Sequence, residues 1–407
     1  MAGEVGEAAK TTSRIERLIQ TVTKAAGVGR EPMVALGILL LGLTPPRAAS
    51  FPSWDVPASL RAVSSWCVRG TVEGKPCSFA IDSGANRTLL LERGVSEVEG
   101  RKVRLSFASY SGKPTIAQFD CAALRYFQKA FAASAQERVA ILGMDLLAKC
   151  RFGFDWANGR VTDLTKASAP EIADWIKGKS DGPEPQIVAL APDELGRLTI
   201  PIQDGKGGPI VDTCSVFSHL SSAIVNAGPS LYDLTEQGFF GDVKSTAHLV
   251  HSVDFGSLHL TNLVAVGPLP ASQTQTSRPV LSPSDFPCVR YVFDFKERRL
   301  LLPGASPEAF EERRLWKITG LLVEVSRDSI VLRGKDIYPQ LSPYDGLTLK
   351  SIDGLPSNQV LTLLSASDPG SVRALSKFAN DTRREYEIEV VQRDGTVVPI
   401  TMRFEWD

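Results

Sequence analysis

The chain has 407 residues, of which 43% are hydrophobic and 22% charged, with a formal net charge of −1. That much apolar material excludes wholesale disorder, and the near-zero charge excludes the electrostatic footprint of a nucleic-acid binder. At about 100–200 residues per domain, the length predicts two to four domains.

Residues 1–50 read as an N-terminal extension with a signal-peptide-like segment. Met33 to Leu43 is an uncharged apolar run, followed by Pro45, Pro46 and the small residues Ala48, Ala49 and Ser50. The run is shorter than the ~20 residues needed to cross a bilayer and matches the apolar core of an export signal. Lys10, Arg14, Arg17, Lys24 and Arg30 supply a positive flank. The flank is long for a signal. Either translation starts further in, or residues 14–26 form an amphipathic helix with Ile15, Leu18, Ile19 and Val22 on one face. The expectation is an extracytoplasmic chain, periplasmic or secreted, touching membrane only if this segment stays uncleaved. A buried core helix in a cytosolic protein is the alternative.

Export would place Cys67, Cys77, Cys121, Cys150, Cys214 and Cys288 where disulfides persist, and six cysteines allow fifteen pairings. No Cys/His spacing resembles a zinc site, and His219, His248, His251 and His259 cluster only loosely. No metal and no cofactor is assigned.

An internal repeat organises the middle of the chain. Val68 to Gly84 aligns without a gap on Leu198 to Cys214, placing Asp82 and Asp212 130 positions apart. Each segment reads as strand, Gly-containing turn, strand, then Asp-Ser or Asp-Thr. The ends repeat too: Cys150-Arg151-Phe152-Gly153-Phe154-Asp155-Trp156 parallels Cys288-Val289-Arg290-Tyr291-Val292-Phe293-Asp294-Phe295. Duplicated β units are expected at 56–165 and 196–303. Alternating runs such as Val103 to Phe107 and Leu258 to Leu260 support strands. Residues 166–195, rich in Pro and charge, read as a linker with a short helix at Pro170–Lys177. Pro303 to Pro307 marks a boundary, and a helix-prone stretch from Glu308 to Arg314 leads into a third unit at 315–407.

The two Asp motifs carry the chemistry. Phe79-Ala80-Ile81 is an apolar strand that delivers Asp82 to a dry position. The Ser83 hydroxyl can brace a facing loop, and Gly84 lets backbone approach backbone. Asp-Ser-Gly alone is also ordinary turn chemistry, but Val139-Ala140-Ile141-Leu142-Gly143-Met144-Asp145-Leu146-Leu147 follows some sixty residues on. Together these motifs resemble the retropepsin-like aspartic protease family over residues 62–165. The second repeat departs from the pattern: Val211-Asp212-Thr213-Cys214 has Cys for Gly, and Val280 to Phe286 lacks the closing glycine.

The resemblance implies an aspartic endopeptidase acting on protein or peptide substrates, with Asp82 and Asp212 sharing one proton and activating water. Ser83, Gly84 and Thr213 would support the loops. Tyr110, in a hairpin tip at Ser109 to Lys113, would serve as a flap, and Asp145 would cap the helix starting at Leu146. A second reading stays open, in which the second unit is structural, Asp212 caps a turn, Cys214 pairs with Cys288, and the protein binds peptides without cutting them. A third pairs the first unit with the same unit of another chain.

Residues 315–407 resemble a PDZ domain through Ser342 to Pro356, a helix from about Asn358 to Ala366, and a hairpin from Tyr386 to Met402. Asp394-Gly395 suits a type I′ turn in that hairpin. The resemblance implies capture of peptide C-termini by backbone N–H groups of Gly320, Leu321 and Leu322. The expected fold is mainly β: two retropepsin/pepsin-like β-barrel lobes, then a small α+β PDZ-like domain.

Overall fold

The first strands grow from a tight turn. Val72 pairs with Lys75 across Glu73-Gly74, both at positive φ (52° and 74°), as a type I′ turn requires. This is a computed structural model, mainly β in class, and it describes residues 51–56, 65–92, 98–120, 137–178, 184–202, 207–226, 228–238, 241–267, 278–303, 307–321, 323–326, 328–333, 339–365, 371, 374 and 385–402. The apolar run at 33–43, the stretch at 14–26, Cys121 and Leu322 lie outside these residues.

After β1 (Ser53–Asp55), the hairpin arms are β2 (Cys67–Val72) and β3 (Lys75–Ile81). Then come β4 (Leu89–Leu91), β5 (Val98–Lys102), β6 (Leu105–Phe107), β7 (Tyr110–Gly112), β8 (Thr115–Phe119) and β9 (Arg138–Leu142). They form one sheet in the order β5-β8-β4-β9-β3-β2-β6-β7. β9 runs parallel to β3, while β4 lies between β9, antiparallel, and β8, parallel. β3 and β9 therefore end together, with Ile81 beside Leu142. The last five residues of β3 are all buried, as expected of a strand covered on both faces.

Next in the chain are β10 (Arg151–Asp155), β11 (Arg160–Asp163) and β12 (Gln186–Ala189). The second repeat supplies β13 (Ala191–Pro192), β14 (Leu198–Thr199), β15 (Ile210–Val211), β16 (Ser218–His219), β17 (Ser230–Gly238), β18 (Gly241–Phe255), β19 (Leu258–Gly267) and β20 (Val280–Leu281). Their order is β13-β14-β15-β20-β16-β19-β18-β17. The wiring repeats that of the first sheet: β15 is parallel to β20 with Val211 beside Leu281, and β16 lies between β20, antiparallel, and β19, parallel.

The repeated ends meet in a central sheet. β21 (Arg290–Asp294) and β22 (Arg299–Leu302) complete the order β1-β11-β10-β21-β22-β12. β10 and β21 are antiparallel, with Gly153 opposite Val292 at the middle. The Arg of each repeat reaches the Asp of the other, Arg151 to Asp294 at 2.8 Å and Arg290 to Asp155 at 2.9 Å. The segment read as a linker does more than connect. It holds the helix Ala169–Lys177, which buries Ile172 and Ile176, and it donates the edge strand β12. One hydrophobic core runs through both repeat sheets and the central sheet. Its aromatic part includes Trp66, 5.4 Å from Phe154, which stacks on Tyr291 at 4.7 Å.

The C-terminal unit begins with the helix Pro307–Thr319. β23 (Val323–Ser326), β24 (Ser329–Leu332), β25 (Thr348–Ile352), β26 (Leu355–Pro356), β27 (Tyr386–Val391) and β28 (Val397–Met402) follow. The sheet order is β23-β24-β25-β27-β28, with β26 on β25 and the helix Ser357–Ser365 after it. The Asp394-Gly395 turn is not type I′. Only Gly395 of that pair has positive φ (85°), and Gln392 pairs with Thr396 across three residues. That is a type I turn followed by a left-handed Gly, with the Asp394 side chain accepting from Thr396 N–H at 2.9 Å. The type I′ geometry falls instead on Asp353-Gly354 (φ 47° and 74°) between β25 and β26.

Candidate active site

An Asp directly follows each of β3 and β15 and is held in place by the neighbouring strand. Asp82 N–H donates to Leu142 O at 3.1 Å, and Asp212 N–H donates to Leu281 O at 3.0 Å. Each following turn then folds back onto its own carboxylate. Asp82 Oδ1 accepts from Ala85 N–H at 2.9 Å, and Asp212 Oδ1 accepts from Cys214 N–H at 2.8 Å.

Hydroxyls lock the two loops to each other. Ser83 Oγ donates to Val211 O at 2.6 Å and accepts from Thr213 N–H at 3.0 Å. Thr213 Oγ1 donates to Ile81 O at 2.6 Å and accepts from Ser83 N–H at 3.0 Å. Both side chains are fully buried, so each of these bonds replaces water that cannot enter. Gly84 lies against the second carboxylate: a Cβ there would stand 2.4 Å from Asp212 Oδ2. Glycine is needed here for space.

The structure thus brings together Asp82, Ser83, Gly84, Asp212 and Thr213. Burial is the main influence that pushes the Asp82 carboxyl well above the ordinary carboxylate range, and the Asp212 charge adds to it. Burial also raises Asp212, opposed by the Cys214 N–H and the charge of His219. Asp82 is buried while Asp212 is partly exposed. Charge is therefore cheaper on Asp212, and the pair titrates as a unit that shares its proton with a bias toward Asp82.

Cys214 does not pair with Cys288. Among the described residues Cys67, Cys77, Cys150, Cys214 and Cys288 are all free thiols. Burial and the two nearby carboxylates push the Cys214 thiol well up, so it stays protonated and donates to Ile81 O at 3.4 Å. Asp212 does cap its own turn, and it does so while facing Gly84.

Three other expectations change. Tyr110 is committed elsewhere: its ring stacks on Phe107 at 5.2 Å beneath Lys149 Nζ at 5.4 Å, and the turn beside it is tied by Ser109 N–H to Asp163 at 2.8 Å. The two-residue turn joining Phe107 to Tyr110 is thereby tied to β11 of the central sheet. Gly143 holds the N-cap position and Asp145 lies in the first turn, where its carboxylate still accepts from the Leu146 N–H at 3.0 Å as well as from Thr88 Oγ1 at 2.7 Å. The Gly320 and Leu321 N–H groups are already used, donating to Trp316 O at 2.7 Å and Thr319 Oγ1 at 3.1 Å. With φ at 74°, Gly320 closes the preceding helix and does not open a carboxylate pocket.

A second repeated network escaped the sequence reading. In the first repeat Thr88 Oγ1 accepts from Gly143 N–H at 3.1 Å and donates to Asp145. In the second, Ser218 Oγ accepts from Ser282 N–H at 3.0 Å and donates to Asp285 at 2.6 Å. The readable signal was a hydroxyl residue six positions after each Asp. Pro283 has no N–H to match the Met144 N–H that donates to Ala85 O at 2.9 Å, and Ser282 Oγ substitutes by donating to Ser215 O at 2.6 Å.

No protein-family model matches the chain, and no curated protein matches its sequence.

Proposed function

We propose that the chain is an aspartic endopeptidase of the retropepsin-like type, with two lobes joined in one polypeptide and a PDZ-like unit after them. The observation that carries this reading is the hydroxyl-braced pair of loops that sets Asp212 against Gly84, next to Asp82. A water held by both carboxyls loses a proton to ionised Asp212 as its oxygen attacks the scissile carbonyl carbon. Asp82 gives its proton to the carbonyl oxygen. Collapse of the tetrahedral diol returns a proton to Asp82 and passes the one on Asp212 to the leaving nitrogen, so the pair ends as it began. Substrates are protein or peptide segments. The apolar run at 33–43 fits delivery out of the cytoplasm.

Cleavage of a fluorogenic peptide library from acid to neutral pH tests the reading. Wild type is expected to cut, and Asp82→Asn and Asp212→Asn are each expected to lose about 10²–10⁴-fold. Full activity in Asp212→Asn would overturn the proposal. The Cys214 sulfur inside the second loop favours one rival, a peptide-binding protein that does not cut; peptide binding with no wild-type cleavage at any pH would select it.

A further inference from the structure

The two repeats differ in how the carboxylate behind the Asp loop is kept. In the first, Asp145 is exposed. In the second, Asp285 is buried and sits one residue further along a 3-10 turn, Pro283–Asp285, where the first repeat has a helical turn, Met144–Leu147. A buried carboxylate needs a counter-charge, and that charge comes from the C-terminal unit. Lys317, 1% exposed, places Nζ 2.8 Å from Asp285 Oδ1.

Arg313 belongs to the same helix and is also buried. Its guanidinium donates to Ser284 O at 2.8 Å, to Phe286 O and to Cys288 O at 3.2 Å, and lies 4.7 Å from the Trp156 ring. These carbonyls belong to the segment that follows β20. Tyr232 OH, from β17, donates to Lys317 O. Apolar packing agrees: Phe217, Leu231, Leu249 and Val264 of the second repeat share one core with Leu315 and Ile318 of the helix.

We propose that Lys317 is a positioning residue for Asp212, so that the C-terminal unit completes the second half of the catalytic centre. The chain of contacts is continuous. Lys317 fixes Asp285, Asp285 orients the Ser218 hydroxyl, and that hydroxyl holds Ser282 N–H. Leu281, one residue before, accepts from Asp212 N–H at 3.0 Å. The missing closing glycine is thus compensated by a helix from outside the repeat. The inference rests on the protease reading for its consequence, but the coupling itself can be measured without activity.

The test uses the full chain with Lys317→Met, Lys317→Arg and the charge-free double variant Lys317→Met/Asp285→Asn. Arg333→Met, which breaks the exposed Arg333–Glu324 pair of the C-terminal unit, is the control. In Lys317→Met, kcat on a fluorogenic peptide should fall on the order of 10–100-fold with KM changed less than about twofold. Lys317→Arg should recover most of that loss, and Arg333→Met should match wild type.

Hydrogen exchange gives the independent measurement. Amides of residues 210–219 should exchange faster in Lys317→Met, with those of 79–86 unchanged. If the single variant does not fold, the double variant should show the same regional change. Wild-type kcat together with wild-type exchange at 210–219 in a folded Lys317 variant would overturn the proposal. A chain that never cleaves but shows the exchange change would sink the protease reading and leave the coupling standing.

Discussion

The loops Asp82-Ser83-Gly84 and Asp212-Thr213-Cys214 perform the same tasks with different residues. Each holds its Asp by a backbone N–H from the turn and by the end of a parallel neighbour, and each hydroxyl accepts from the other loop's N–H. At the third position they diverge. Gly84 is pressed against Asp212, whereas Cys214 turns its sulfur to Ile81 O. The comparison teaches that a motif letter can be lost when the space it protected lies on one side only. What cannot be lost is the bonding of buried polar groups, because an unmet partner there costs about 1–3 kcal/mol.

Gly84→Ala should break the symmetry most. Its Cβ meets the Asp212 carboxylate at 2.4 Å, so cleavage should fall about 10²-fold and stability by about 1–3 kcal/mol, read by kinetics and urea unfolding. Ser83→Ala comes next. It strips Val211 O and Thr213 N–H of a buried partner, and about 1–3 kcal/mol should be lost. A wild-type unfolding midpoint in that variant would show that the brace contributes nothing.

The pH dependence sharpens the comparison further. Both carboxyls titrate higher in the folded chain than in the unfolded one. Their contribution to stability is therefore complete below the ordinary carboxyl range and is lost as pH rises through the raised values. Tm should fall between weakly acidic and neutral pH, and Asp82→Asn should flatten that slope. The smallest effect is expected for Cys214→Gly. It removes one weak thiol bond and adds backbone freedom costing about 0.5–1 kcal/mol, with cleavage staying within about tenfold of wild type. A larger loss would make the sulfur a working part of the loop.

Much of this is legible in the sequence. Apolar strands ending in Asp-Ser and Asp-Thr, recurring at a fixed interval, point to two equivalent turns, since strand burial and turn chemistry are local properties of adjacent residues. Tyr110 and Gly320 were misjudged for the opposite reason. A hairpin tip and a glycine before a strand look alike whether they face a cleft, a sheet or a helix end, and only packing decides. Asp145 and Asp285 show the same limit, because their hydroxyl partners lie 57 and 67 positions away in the chain.

Short-range patterns of burial and backbone preference specify the two Asp turns, the repeated strands that carry them and the helix-prone stretch after Pro303. Tertiary structure alone decided that Ser83 and Thr213 exchange bonds, that Arg151 and Arg290 cross to Asp294 and Asp155, and that Lys317 enters the second repeat. A buried charge or N–H takes whatever partner folding brings within reach, and sequence distance sets no limit on which one that is.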